Sequence, residues 1–351
     1  MKKSMIIISS ALSVLMLLLP FAFMLGVVFI APSQYSHTFY GALNEKVKRL
    51  DSIEGPKLVV IGGSSVAFGL DSALLEEYIG LPVVNFGLYA DLGTKLMLDL
   101  SEDAIGENDV ILLAPELDPQ TLSLYFSGRS TWLAIDDRPS LIFRLNRENI
   151  PSMWGSAWGF AAEKLSYLTG RREALNPRGV YNSRNFNEYG DIRFVDEAGN
   201  SLRTKNTMYK GRDAGAPIGA DFSVFDTEFI DYLNAYIRRA EAKGATVYYN
   251  WCPINRSAIS NGSGGIIDAN GAYPVERIAA FETALADALA CEIIGSYGDY
   301  VYDPAWFYDT NFHLQSAATS HHTANIVRDL SLAYLGREIT VPSDRLAEIP
   351  E

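Results

Sequence analysis

The residues of this chain whose types could carry acyl or proton chemistry are few. Its four histidines, His37, His313, His321 and His322, are the side chains whose ordinary pKa lies nearest neutrality. His313 stands out in Tyr308-Asp309-Thr310-Asn311-Phe312-His313, because a carboxylate and an imidazole on one loop can meet, the carboxylate fixing the tautomer and orientation of the ring. A serine on a strand-to-helix turn would complete the set. Residues 57–71, KLVVIGGSSVAFGLD, offer two: an apolar run breaks at Gly62, Gly63, Ser64 and Ser65 before a helical pattern starts. A strand that stops at small residues and hands over to a helix places hydroxyls and free backbone N–H groups at one edge of a sheet. Such a turn is a nucleophile turn, a phosphate cradle or merely a tight turn. His37 lies beside an apolar N-terminal segment, and His321 and His322 read as helix surface.

The elements that must position these groups follow from hydrophobic period. Residues 57–61 are a strand; Leu74, Leu75 and Tyr78 share one face of a helix over 72–79, capped by Asp71 or Ser72. A short strand at 81–85 ends in Phe86-Gly87, a helix over 93–105 carries Leu96, Met97, Leu100 and Ile105, and 109–114 is a continuous apolar run suited to a strand buried on both faces. The order β-α-β-α-β is the pattern of a doubly wound α/β sheet. Between about 115 and 223 the pattern is lost among tryptophans, tyrosines, glycines and prolines, which reads as a loop-rich insertion above the strand ends; its aromatic residues suit either a substrate rim or core packing. Alternation returns with a helix at 227–243, a strand at 246–251, a helix at 274–290, a strand near 292–294 and a last helix from about 314 to 335, followed by a polar tail over 336–351.

With 29 Lys and Arg against 42 Asp and Glu, the net charge of −13 argues against a nucleic-acid partner, whose phosphates need basic surface. Attachment to a membrane must then be hydrophobic. Residues 5–30 run without a charged group, longer than the roughly 20 residues that cross the hydrocarbon core. We therefore expect an uncleaved signal anchor over 1–31 that enters the lipid bilayer through 5–30, with Pro20 as a kink and Lys2 and Lys3 favouring a cytoplasmic N-terminus. A stalk over 32–55, helical around 40–50, is expected to link it to the main domain at 56–335. Cys252 and Cys291 are too few and too far apart for an ordinary zinc site and are read as buried thiols in preference to a disulfide, so neither metal nor cofactor is expected.

Taken in order, these blocks resemble the SGNH (GDSL-like) hydrolase superfamily, in particular the membrane-anchored branch similar to the teichoic-acid D-alanyl transfer and polysaccharide O-acetylation accessory proteins. Gly63-Ser64-Ser65, with Gly69 four residues on, is similar to the family's nucleophile block and puts Ser65 in the nucleophile place. Asp309 and His313 are similar to its C-terminal Asp-x-x-His block, with one residue more between them. Asn85-Phe86-Gly87 is similar to the block that supplies an oxyanion-hole glycine, pointing to Gly87 beside the Ser65 N–H. Where the family has Gly-x-Asn-Asp, this chain has Ala114-Pro115-Glu116-Leu117, and a carboxylate cannot donate to an oxyanion unless protonated. The resemblance implies an α/β fold, a three-layer doubly wound parallel sheet of SGNH/flavodoxin-like type. It further implies a single-pass protein of the cell membrane with its main domain extracytoplasmic, acting on an envelope polysaccharide or teichoic acid alongside a multi-pass membrane acyltransferase.

Three readings compete. In the first, Ser65 attacks an acyl carbonyl, His313 removes its proton, Asp309 orients His313, and Ser64, Asn85 and Glu116 are candidates for substrate contact. In the second, the same fold is a catalytically silent scaffold that binds the polymer or its membrane partner, a reading that Glu116 favours. The third, nucleotide binding, lacks both the lysine of a phosphate-binding loop and a Gly-x-Gly-x-x-Gly run. Asn187, Tyr189 and Asp191 form a polar cluster in the insertion that either faces ligand or makes a turn.

Overall fold

The computed structural model describes residues 2–203, 217–260 and 275–349. Its centre is a parallel sheet of five strands: β1 (Leu58–Gly62), β2 (Val83–Gly87), β3 (Val110–Ala114), β4 (Thr246–Tyr249) and β6 (Glu292–Ile293), in the order β2-β1-β3-β4-β6. The first three are Val-, Ile- and Leu-rich and buried along their whole length, as strands covered on both faces must be. Leaving β1 the chain steps to β2 on one side and then to β3 on the other, so the order reverses at β1, the place where open α/β sheets present a crevice at their carboxyl ends. Register brings those ends level, with Gly62 opposite both Gly87 and Ala114. A separate two-stranded parallel pair joins β5 (Ile254–Asn255) to β7 (Val301–Tyr302).

A long apolar helix, α1 (Lys2–Phe29), precedes the body, and within it Ile7–Phe29 is long and apolar enough to span a membrane. Its exit is clamped. The Asp136 Oδ2 accepts the Gln34 N–H at 2.7 Å, the Ser33 hydroxyl at 3.0 Å and the Tyr35 N–H at 3.2 Å, while Oδ1 is paired with Lys164 Nζ at 2.7 Å in a buried ion pair. The segment expected to be a stalk packs on the body through the helix expected around 40–50: α2 (Ala42–Ser52) buries Ala42, Leu43, Val47 and Leu50, and Lys46 is buried with them.

Around β1 and β2, α3 (Ser64–Gly69) follows the turn directly, and α4 (Ser72–Ile79) is capped by Asp71, whose carboxylate accepts the Leu74 N–H, and closed by Gly80 in the left-handed region. Next comes α5 (Thr94–Glu102), between β2 and β3. The expected loop-rich insertion holds more helix than its sequence announced: α6 (Gly128–Ala134) and the 19-residue α7 (Ile150–Leu168) pack on one another. Gly155 and Gly159 hid α7, because two poor helix formers in an uncharged stretch erase the amphipathic pattern. The remaining helices are α8 (Thr227–Ala242), α9 (Val275–Ala288) and α10 (Ser316–Leu335), close to their expected bounds. The polar tail folds back onto the body, with Val341 buried and the Ala347 N–H on the Ser320 hydroxyl.

Candidate active site

The Asp309–His313 loop is closed by its own backbone. The Tyr308 N–H donates to the His313 carbonyl at 2.7 Å, Phe307 bridges Leu314, and Thr310 Oγ1 accepts the N–H groups of Phe312 and His313 at 3.2 Å each. This turn accommodates the additional residue and brings His313 Nδ1 to 2.7 Å from Asp309 Oδ1. Accepting at Nδ1, the carboxylate fixes the tautomer and leaves Nε2 free to accept. Nε2 faces a serine hydroxyl at 2.7 Å, and that serine is Ser64.

The expectation that Ser65 would stand in this place is corrected. Ser64 is the first residue of α3 and points its Oγ along the strand-end edge, whereas Ser65 turns its side chain into the interior, fully buried and with no hydrogen-bond partner for its Oγ among the described residues. Two successive residues at a helix start diverge by about 100°, so only one can face the imidazole. The Ser65 backbone N–H does lie at the site, one residue beyond the hydroxyl that meets His313, where an oxyanion donor is commonly found.

Glu116 occupies that donor. Its buried Oε1 accepts the Ser65 N–H at 2.7 Å and lies 2.9 Å from Ser64 Oγ. It packs over Gly63, where a Cβ would come within 2.7 Å of the Glu116 carboxyl carbon, so a larger residue there would push the carboxyl aside. The Ser64 hydroxyl has one hydrogen and two neighbours able to accept it. As the contacts stand Ser64 Oγ donates to Glu116 Oε1; a hydrogen turned instead to His313 Nε2 leaves the Glu116 contact to be made by a proton on the carboxyl. Burial drives the Glu116 carboxyl in that direction, well against the opposing pull of His313 and of the two serine contacts, and holds its pKa above the ordinary glutamate range.

The other expected site residues lie nearby in supporting places. Gly87 is not a free oxyanion donor: its N–H is bonded to Asn85 Oδ1 at 3.2 Å, and its lack of a side chain is needed because a Cβ would reach 2.4 Å from Val66 Cβ. Asn85 is fully buried and committed, donating to the Val66 carbonyl at 2.9 Å and to Asp191 at 2.8 Å, so it braces α3 against β2 and does not reach a substrate. Asp191 is likewise buried, taking the Ser72 N–H and hydroxyl, Asn85 and Asn187, and burial raises its pKa. The Asn187–Tyr189–Asp191 cluster is therefore a turn that staples the insertion to the sheet.

Among the other histidines, His37 contacts Arg184, and His321 meets the Ala347 carbonyl on the surface. His322 is buried, contrary to the surface reading, and bonded to Tyr302; burial depresses its pKa to about 3, and it takes no part in the Ser64 contacts. Cys252 and Cys291 are both free thiols, one buried and one partly so.

Two contributors were not foreseen. Phe68 stacks on the His313 ring with centroids 3.9 Å apart and planes 6° from parallel. It lies four residues after Ser64 on α3, a spacing that puts both on one helix face and that the sequence did contain. Tyr181, from the insertion, donates its hydroxyl to Asp309 Oδ2, the oxygen that His313 leaves free. Burial and the Asp309 charge both raise the Tyr181 pKa, keeping it a neutral donor. Nothing in its sequence neighbourhood announced that contact. No family model matches the chain, and neither a curated protein nor a solved structure does.

Proposed function

We propose that this chain is a membrane-anchored, serine-dependent acyl esterase or O-acyltransferase component with Ser64 as nucleophile, His313 as general base and Asp309 as the group that orients it. The observation that supports this reading is the unbroken contact from Ser64 Oγ through His313 to Asp309, each link at 2.7 Å, at the reversal point of the sheet. In the step that follows, Ser64 Oγ attacks an acyl carbonyl, its proton passes to His313 Nε2, and the imidazolium is stabilised by Asp309.

The carbonyl oxygen needs the place that Glu116 Oε1 holds against the Ser65 N–H. Substrate entry displaces the carboxyl, and a neutral Glu116 can then donate to the developing oxyanion where a charged one would repel it. The residue that departs from the family's asparagine can in this way fill the same office. The SGNH-like, doubly wound layering, the extracytoplasmic placement of the main domain, a polymeric envelope substrate and a multi-pass membrane acyltransferase partner belong to this proposal on the strength of the motif resemblance.

The experiment compares hydrolysis of a generic acetyl ester and labelling by a fluorophosphonate. We expect Ser64→Ala to lose the label and about 10³-fold or more in turnover, with Ser65→Ala retaining both. Loss in Ser65→Ala with retention in Ser64→Ala would reverse the assignment. One observation favours a second reading: with Glu116 seated on the Ser65 N–H, the fold could serve as a scaffold that binds polymer without turning it over. No label and no hydrolysis in the parent chain, with glycan binding retained, would select it.

A further inference from the structure

The stretch 150–162, IPSMWGSAWGFAA, has no charged residue, and in the structure it forms most of α7. A surface helix normally shows solvent a polar or charged face. Here the exposed side of its first three turns is Pro151, Ser152, Trp154, Gly155, Trp158, Gly159 and Ala162, with Trp154 exposed by 41% and Trp158 by 43%, while the opposite side, Met153, Ala157, Phe160 and Ala161, is buried. Over these turns the helix is thus uncharged on both sides, and its outward side carries two large indoles.

What covers that side follows from its neighbour. Trp158 packs edge-on against Phe21 of α1 with ring centroids 5.6 Å apart, and Trp154 lies 6.3 Å from Phe29. Taking α1 as a membrane span, its uncharged run starts at Met5, and at about 1.5 Å per residue the sixteen residues 5–20 cover only about 24 Å, short of the roughly 30 Å of hydrocarbon. The span must therefore extend past Phe21 toward Met24 before it leaves the lipid. Trp158, in contact with Phe21, lies at the same depth, and Trp154, beside Phe29, falls in the headgroup zone where indoles concentrate.

We infer that the exposed side of α7 is embedded in the outer boundary of the bilayer, with acyl chains against Trp158 and headgroups near Trp154, so that the body is held by α7 as well as by α1. This rests on the reading of α1 as a membrane span. The chain's net charge of −13 fits a contact made by uncharged residues, since overall it is repelled by anionic lipid.

The test uses the full chain in phosphatidylcholine nanodiscs containing lipids brominated on the acyl chain, with tryptophan emission as the readout. Two of the five tryptophans are at stake, so quenching is bounded at about two fifths of the emission, strongest for bromines set near the glycerol end. The pair Trp154→Phe and Trp158→Phe, made together, keeps an aromatic ring at each place and should lose most of the quenching with an unchanged circular dichroism spectrum. Alkaline carbonate washing of liposomes, run in parallel, separates the two readings. Release of the chain would overturn both the span and the α7 contact. Retention without quenching, or with quenching equal in the double variant, would overturn the α7 contact alone; in that case crosslinking through α7 to a second copy would name the occupant instead.

Discussion

Burial holds the Glu116 carboxyl above the ordinary glutamate range, and because the same carboxyl touches Ser64 Oγ and the Ser65 N–H, its charge state acts directly on the proposed nucleophile. A folded-state pKa raised above the unfolded value of about 4.3 means that the neutral form fits the fold; its contribution to stability is complete below that value and is lost as pH rises through the folded pKa. Turnover that depends on the neutral acid should fall over the same rise. Glu116→Gln, uncharged at every pH, should keep activity and lose that alkaline fall in kcat/KM. A profile unchanged by the substitution would count against a protonated Glu116. Tyr181 acts one contact further out: by donating to Asp309 it holds the carboxylate that holds the imidazole. Under the proposed mechanism we expect Tyr181→Phe to lower kcat about 10-fold with KM nearly constant, since its hydroxyl meets Asp309 and would position the triad. An effect confined to KM would place Tyr181 against the substrate instead.

At the scale of elements, Lys46 of α2 is the clearest load on stability. Its buried ammonium donates to the Asn85 carbonyl at 3.0 Å, to Asn85 Oδ1 at 3.2 Å and to the Gly190 carbonyl at 2.6 Å, tying α2 to β2 and to the insertion. Burial depresses its pKa to about 7, partly opposed by Asp191. Between about 7 and the unfolded value of about 10.4 the unfolded chain holds a proton that the folded one does not, so stability rises with pH across that window and is lost as pH falls to about 7. Lys46→Met takes the donor from the buried Asn85 and Gly190 carbonyls and should cost about 1–3 kcal/mol by denaturant titration, while flattening the rise between pH 7 and 10. The same contact explains a misreading. Residues 32–55 looked like a stalk because Glu45, Lys46, Lys48 and Arg49 give them a solvated composition, and composition cannot reveal that one of those lysines is desolvated by partners 39 and 144 positions away. By contrast β1, β2, β3, α4 and α8 were legible, because each is specified by local period and a local cap.

Over the whole molecule, legibility follows the range of the interactions. Asp309 and His313 could be paired from sequence because one turn joins them, and the strand-end turn could be located because Gly62 to Ser65 break an apolar run. The choice of Ser64 over Ser65 could not, since it depends on which way α3 starts, and that is set by Val66 packing into the space left by Gly87 and by Glu116 lying over Gly63. Of the insertion's tryptophans, read as a sugar-facing rim or core, Trp132 is core, while Trp154 and Trp158 stay partly exposed beside α1.

The clamp of Asp136 on Ser33, Gln34 and Tyr35 has a consequence for reach. Had residues 32–55 been an extended leash, the body could have roamed about 80 Å from its point of emergence. Pinned within a few residues of the end of α1, it has no slack: with α1 in a membrane, as proposed, Ser64 would be carried at one height and one tilt above that plane, free to diffuse sideways but not to rise. If the substrate is the polymer proposed above, it would then be served only along the part of its length that passes at that height.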